Sequence, residues 1–117
     1  MKPAALRAAC LALPGAAEEF PFGPETSVFK VGGKIFALAA LESEAPLRVS
    51  LKCEPELAAQ LRLDYAAIRP GYHLNKRHWN TVTLDGSLPD RMVREMVEDS
   101  YDLVVFALPR RVREGLS

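Results

Sequence analysis

Ser27 to Leu41 reads SVFKVGGKIFALAAL, two β-prone runs on either side of Gly32-Gly33. A glycine pair between such runs signals a two-residue hairpin, because the tight turn needs positive φ at both central positions. In that register Val31 faces Lys34 and Phe29 faces Phe36. Alternation then places Phe29, Val31, Phe36 and Leu38 on one side, and Val28, Lys30, Ile35 and Ala37 on the other. The aromatic side is the expected core side.

Downstream, LRVSLK (Leu47 to Lys52) alternates with Leu47, Val49 and Leu51 inward and Arg48, Ser50 and Lys52 outward, as a half-buried antiparallel strand does. HWNTVTL, from His78 to Leu84, alternates again, with Val82 and Leu84 on one face and Trp79, Thr81 and Thr83 on the other. Helices flank these strands. EPELAAQLRL starts a helix at about Pro55, since proline is preorganised for the first helical position and Glu54 and Glu56 favour the positive helix end; it ends near Asp64. From Pro89 to about Ala107, apolar residues recur at three- and four-residue steps through Met92, Val93, Met96, Val97, Tyr101, Val104 and Val105, and Pro109 ends the run. Upstream, Pro3 to Leu13 forms a short helix stopped by Pro14-Gly15, and EEFPFGPET (Glu18 to Thr26) reads as an irregular loop.

The order is helix, hairpin, strand, helix, irregular segment, strand, long helix, with no repeat and no linker. It predicts one domain over 1–117, an α+β two-layer sandwich with an antiparallel sheet and helices packed on one face. The other sheet face is left open to solvent.

Composition narrows the function. Fifteen basic and fifteen acidic side chains cancel, so attraction to phosphate has to come from local distribution, not from net charge. Cys10 and Cys53 form no Cys-x-x-Cys pair and suit reduced thiols buried for packing. No stretch approaches the ~20 apolar residues of a membrane span. A cytoplasmic protein with no membrane partner is the expectation.

Catalytic and metal chemistry find little support. His73 and His78, five apart, diverge by about 140° on a helix and alternate faces on a strand, so they do not converge on a metal. Neither cysteine sits in a nucleophile motif. VGGK leads into a strand, so it does not cradle phosphate at a helix N-terminus. Glu54 with Glu56, and Glu95 with Glu98 and Asp99, read as solvated helix faces. The expectation is a non-enzyme without catalytic residues, metal or cofactor.

The charge pattern carries more. From Tyr65 to Leu84 there is no acidic residue, while PGYHLNKRHWN (Pro70 to Asn80) gathers Lys76, Arg77, two histidines and the chain's single tryptophan. Alternation sends Trp79 to the open sheet face beside Lys30, Arg48 and Lys52. An aromatic among cations can pack on sugar or base while the cations neutralise phosphate. A strand's outward positions also need polar residues whatever the function, so the same residues fit a plain solvated face.

With VFKVGGKIFAL, LKCEPE, RPGYHLNKRHWNTVTLDG, LPD and SYDLVVFALP in order, nearly the whole chain resembles the MmcQ/YjbR family of small bacterial proteins. The resemblance implies a frataxin (CyaY)-like fold and a predicted DNA-binding role with a double-wing motif. Its motif positions are Lys34, Phe36, Lys52, Lys76, His78, Trp79, Asn80, Ser100 and Tyr101. Ser100 and Tyr101 lie on the inward side of their helix and suit packing with a buried hydroxyl hydrogen bond. A frataxin-like fold also raises iron binding through an acidic first helix; KPAALRAACLAL has no acid, so that role is not carried over.

The expected DNA contacts are therefore Lys30, Lys34, Arg48, Lys52, Lys76, Arg77, His78, Trp79 and Asn80. The alternative is a small-molecule or protein-interaction module using the open sheet face or a cleft near Tyr72 and Trp79. Glu25, Glu42 or Glu44 bordering the basic face would oppose DNA.

Overall fold

The computed structural model describes residues 1–43, 46–71 and 73–116. Its elements are α1 (Pro3–Leu11), β1 (Ala17–Glu19), β2 (Ser27–Val31), β3 (Lys34–Ala39), β4 (Arg48–Lys52), α2 (Pro55–Asp64), β5 (Ile68–Pro70), β6 (Trp79–Thr83), α3 (Asp90–Phe106) and α4 (Arg110–Glu114). The strands form one antiparallel sheet in the order β1-β2-β3-β4-β6-β5. The fold is the α+β arrangement that the sequence predicts. α1 packs on α3, α3 on β2, β3 and β4, and α2 on β5 and β6.

Three elements escape the sequence. β1 lies partly in the stretch that reads as a loop, β5 in the segment that reads as irregular, and α4 beyond Pro109. β1 is held as an edge by two ion pairs, Glu18 to Arg7 of α1 and Glu19 to Lys30 of β2, each at 3.2 Å. β5 ends in Pro70, which an edge strand tolerates because it lacks a second neighbour to receive an N–H.

The hairpin closes as expected at Gly32-Gly33, both at positive φ, with Val31 opposite Lys34. Its register then departs from the simple alternation. Phe29 pairs with Ala37, not Phe36, because the ladder shifts between Phe29 and Lys30. This bulge brings both Phe36 and Ala37 into the core, and turns Leu38 outward opposite Ser50. Helix α3 supports the irregularity. The Ser100 hydroxyl donates to the Phe36 carbonyl at 2.6 Å and accepts from the Lys52 amide at 2.8 Å, just past the last β3–β4 pair, Ala37 with Leu51.

The core collects Phe29, Phe36, Val49, Leu51, Ile68 and Val82 from the sheet with Val93, Val97, Tyr101 and Val104 from α3. Tyr101 packs edge-on to Phe36 at 5.4 Å between centroids and donates its hydroxyl to the Pro14 carbonyl at the end of the α1 turn. Ser100 and Tyr101 thus hold the roles expected of them. α2 starts as its sequence dictates, the Glu54 carboxylate accepting from the amides of Glu56 and Leu57.

Candidate functional site

The PGYHLNKRHWN stretch is first of all a piece of architecture. Asn75 organises it: its side-chain oxygen accepts from the Arg77 amide at 3.0 Å, and its carbonyl accepts from His78 and Trp79. Arg62 of α2 reaches across to the Lys76 carbonyl at 2.6 Å and the Asn80 side chain at 3.3 Å. Gly71 is needed by close approach, since a Cβ there would stand 2.8 Å from the Trp79 Cβ. Tyr72, named with Trp79 for a cleft, lies outside the described residues.

The expected contact residues separate into groups. Asn80 is a correction: it is buried on the core face beside Val82, where its side-chain amide donates to the Ala58 carbonyl at 3.3 Å and accepts from Arg62, so it is turned away from any ligand on the open face. Trp79 and His78 are half-buried, while Lys76 and Arg77 are exposed, with the Lys76 ammonium donating to the Gly71 carbonyl. Lys52 pairs across the ladder with Trp79. The hairpin turn with Lys34 lies at that same end of the strands. Lys30 points to the open face but is spent on Glu19. Arg48 stands apart from all of these, at the opposite end of β4.

Around Arg48 the structure holds a site that the sequence does not announce. A groove of about 890 Å³ lies on the open face, with Leu38, Ser50 and Thr81 on its floor. Arg69 of β5 and Arg48 of β4 flank β6 on its two sides, with Thr81 and Thr83 between them. Phe22, Pro46, His73 and Leu74 from the connecting loops and Pro70 at the end of β5 wall it in. Among the described residues, no aspartate or glutamate lines it, and neither Arg48 nor Arg69 has a carboxylate partner. Ser50 and Thr81 share a hydrogen bond of 2.9 Å. Glu25 and Glu42 are exposed next to the lining residues Thr26 and Ser43, so acidic residues border the groove there, the arrangement that opposes DNA, while Arg48 and Arg69 lie on the β4–β5 side. Glu44 lies outside the described residues.

Arg69 and Phe22 each leave a signal in the sequence. Arg69 sits in the acid-free run, and Phe22 is a large apolar side chain in a proline- and glycine-rich loop with no periodicity to bury it.

The helix side offers a smaller cleft of about 290 Å³ between α2 and α3, lined by Cys53, Leu57, Leu103 and Phe106 with acidic neighbours. Burial pushes the Cys10 thiol up to about 12, and burial with the nearby Glu54 and Asp99 carboxylates raises that of Cys53. Both thiols are therefore disfavoured as thiolate nucleophiles near neutral pH. Cys53 is half-buried and not sealed in the core as its sequence context suggests. Among the described residues, no group of three or more histidines, cysteines and carboxylates is placed to hold a metal ion, and no helix is long and apolar enough to cross a membrane.

The family model named YjbR matches residues 11–103 of this chain, from the end of α1 into α3. The chain belongs to the YjbR family. The uncharacterised YjbR protein of Escherichia coli K12 is 42% identical to it over 107 residues, 92% of this chain and 90% of that protein. A second relative, the uncharacterised YbdF of Escherichia coli O157:H7, is 40% identical over 92 residues, 79% of this chain and 75% of that one. The crystal structure of Deinococcus radiodurans DR2400, whose domain is designated DUF419, superposes with a TM-score of 0.91 at 43% identity, covering 99% of this chain and 89% of that one. Sheet order and helix layer are thus those of a solved YjbR-like structure.

Proposed function

We propose that the protein is a non-enzymatic DNA-binding module that uses the open face of its sheet. The observation that carries this is the pair Arg48 and Arg69, two guanidiniums that have no carboxylate partner among the described residues, over a groove that no described aspartate or glutamate lines, in a protein whose other charges largely cancel. Unpaired arginines that no fold contact requires are suited to phosphate, which their planar fork meets with two hydrogen bonds. Lys34, Lys52, Lys76 and Arg77 extend the contact at the Trp79 end as wing-like projections. Lys30 adds little while Glu19 neutralises it.

So few cations predict modest affinity. With a salt slope of about −0.9 per phosphate contact on duplex DNA, the slope is shallow; one steeper than about −5 contradicts this contact set. The test is a titration with mixed-sequence DNA at two salt concentrations, read by Trp79 fluorescence and independently by anisotropy of labelled DNA. Saturable, salt-sensitive binding that disappears in a folded Arg48→Glu, Arg69→Glu variant supports the proposal. Absence of binding at low salt by both readouts sinks it.

One observation favours a second reading. The groove's volume lies within the range of small-ligand pockets, roughly 300–1,000 Å³, and its hydroxyls and arginines converge as they would on a small anionic molecule.

A further inference from the structure

The groove does not end at the arginines. A second concavity of about 460 Å³ shares Arg48, Arg69 and Thr83 with the first and continues to Asp85 and Ser87. Two cavities therefore meet at a wall that carries two cations without carboxylate partners among the described residues. We propose that they form a channel for single-stranded nucleic acid, with one phosphate held between Arg48 and Arg69 and a base in the cavity on each side. This rests on the nucleic-acid reading above and adds strandedness to it.

The walls distinguish the two forms of nucleic acid. A duplex meets a protein with phosphates and groove edges, its base faces already stacked. The larger cavity offers the opposite, a largely apolar recess bounded by Phe22, Leu38 and Leu74, which suits the face of an unpaired base. Phe22 is 67% exposed and contributes nothing to the core, so its ring is free to serve as a stacking platform at the rim. The Ser50 hydroxyl on the floor, in its hydrogen bond with Thr81, can act as donor or acceptor, and a hydroxyl of either sense tolerates any base edge.

The smaller cavity separates base from phosphate by charge. The Asp85 carboxylate is fixed by the Ser87 amide at 3.0 Å and the Ser87 hydroxyl at 2.6 Å. An ionised carboxylate there repels phosphate and accepts from an exocyclic amino group. The alternation of base, phosphate and base along the channel is that of a strand, and a compact anion would use the arginine wall alone.

The experiment compares a labelled mixed-sequence strand of about twelve nucleotides, within the span of known single-strand sites, with its duplex at the same salt, by anisotropy. A mononucleotide and inorganic phosphate serve as competitors. The single strand is expected to bind about tenfold or more tighter than the duplex, and Phe22→Ala to weaken single-strand binding by roughly tenfold, the loss of one stacked base. An RNA strand that binds as well or better supports the channel and moves its natural ligand towards RNA. Equal or tighter duplex binding, with Phe22→Ala without effect, overturns the channel and leaves the DNA proposal standing. Competition by the mononucleotide or phosphate at the concentration of the strand itself overturns the channel in favour of a small anion. No binding of either DNA overturns both.

Discussion

The two faces of the sheet use polar groups in opposite ways. On the helix side, Asn80 and Ser100 are buried, and each spends its side chain on backbone groups of the fold. On the open side, Arg48 and Arg69 have no carboxylate partner among the described residues, although Ser50, Thr81 and Thr83 surround them. A polar group that the fold has already satisfied is architecture, however family-typical its motif. One that the fold leaves unsatisfied at a concave surface is available to a ligand.

The largest effect comes from breaking the covered face. Phe36 is fully buried at the bulge, between Phe29 at 6.5 Å and Tyr101. Phe36→Ala is expected to cost about 3–5 kcal/mol of stability, measured by urea unfolding. A cost below about 1 kcal/mol would mean that the bulge is not packed as described.

Ser100→Ala comes next. It removes no volume of consequence but leaves the Phe36 carbonyl and Lys52 amide without their partner, which is expected to cost about 1–3 kcal/mol. Ser100→Thr, which keeps the hydroxyl, separates hydrogen bonding from space. If Ser100→Ala is neutral, the hydroxyl is a passenger and the two strands close without it.

The contrast between the faces also sorts what the sequence discloses. Gly32-Gly33, the alternation of LRVSLK and the apolar stripe of α3 each carry a strong period, and the structure follows all three. The bulge does not show, because Phe36, Ala37 and Leu38 are all apolar and either register buries two of them. β1 and β5 span three residues each, too short to display a period, and Pro70 argues against a strand where an edge permits it. Asn80 is different. The alternation that turns Val82 inward turns Asn80 inward as well, so its assignment to DNA contact follows the motif against the strand's own geometry. The groove is hardest to read, since Phe22, Arg48 and Arg69 come from three separate segments and meet only through sheet order.

On the open face the same size of change should leave stability alone. Arg48→Glu with Arg69→Glu is expected to alter unfolding free energy by no more than about 0.5 kcal/mol, as exposed surface changes do. An Arg48→Ala, Arg69→Ala pair should lower the magnitude of the salt slope of duplex binding by about 2, for two lost phosphate contacts. A large loss of stability in either variant would blur the distinction between the faces, because the arginines would then be supporting the sheet.

The smallest effect lies on the helix side and tests the charge separation itself. Burial first, then the Asp102 and Glu95 charges, raise the Asp99 pKa above its ordinary value. A folded-state pKa above the unfolded one means that the folded chain holds the proton more tightly. The stabilising contribution is therefore complete below the unfolded pKa and is lost as pH rises through the folded one, leaving a charged Asp99 as a small liability at neutral pH. Asp99→Asn should raise the melting temperature at pH 7, and added salt should shrink that gain by screening the neighbouring carboxylates. The side chain is largely exposed, so the gain should stay within about 0.5 kcal/mol. A variant less stable than the parent at pH 7 would show that the carboxylate makes a favourable contact, and Asp99 would then not be an uncompensated charge to set against Arg48 and Arg69 of the open face.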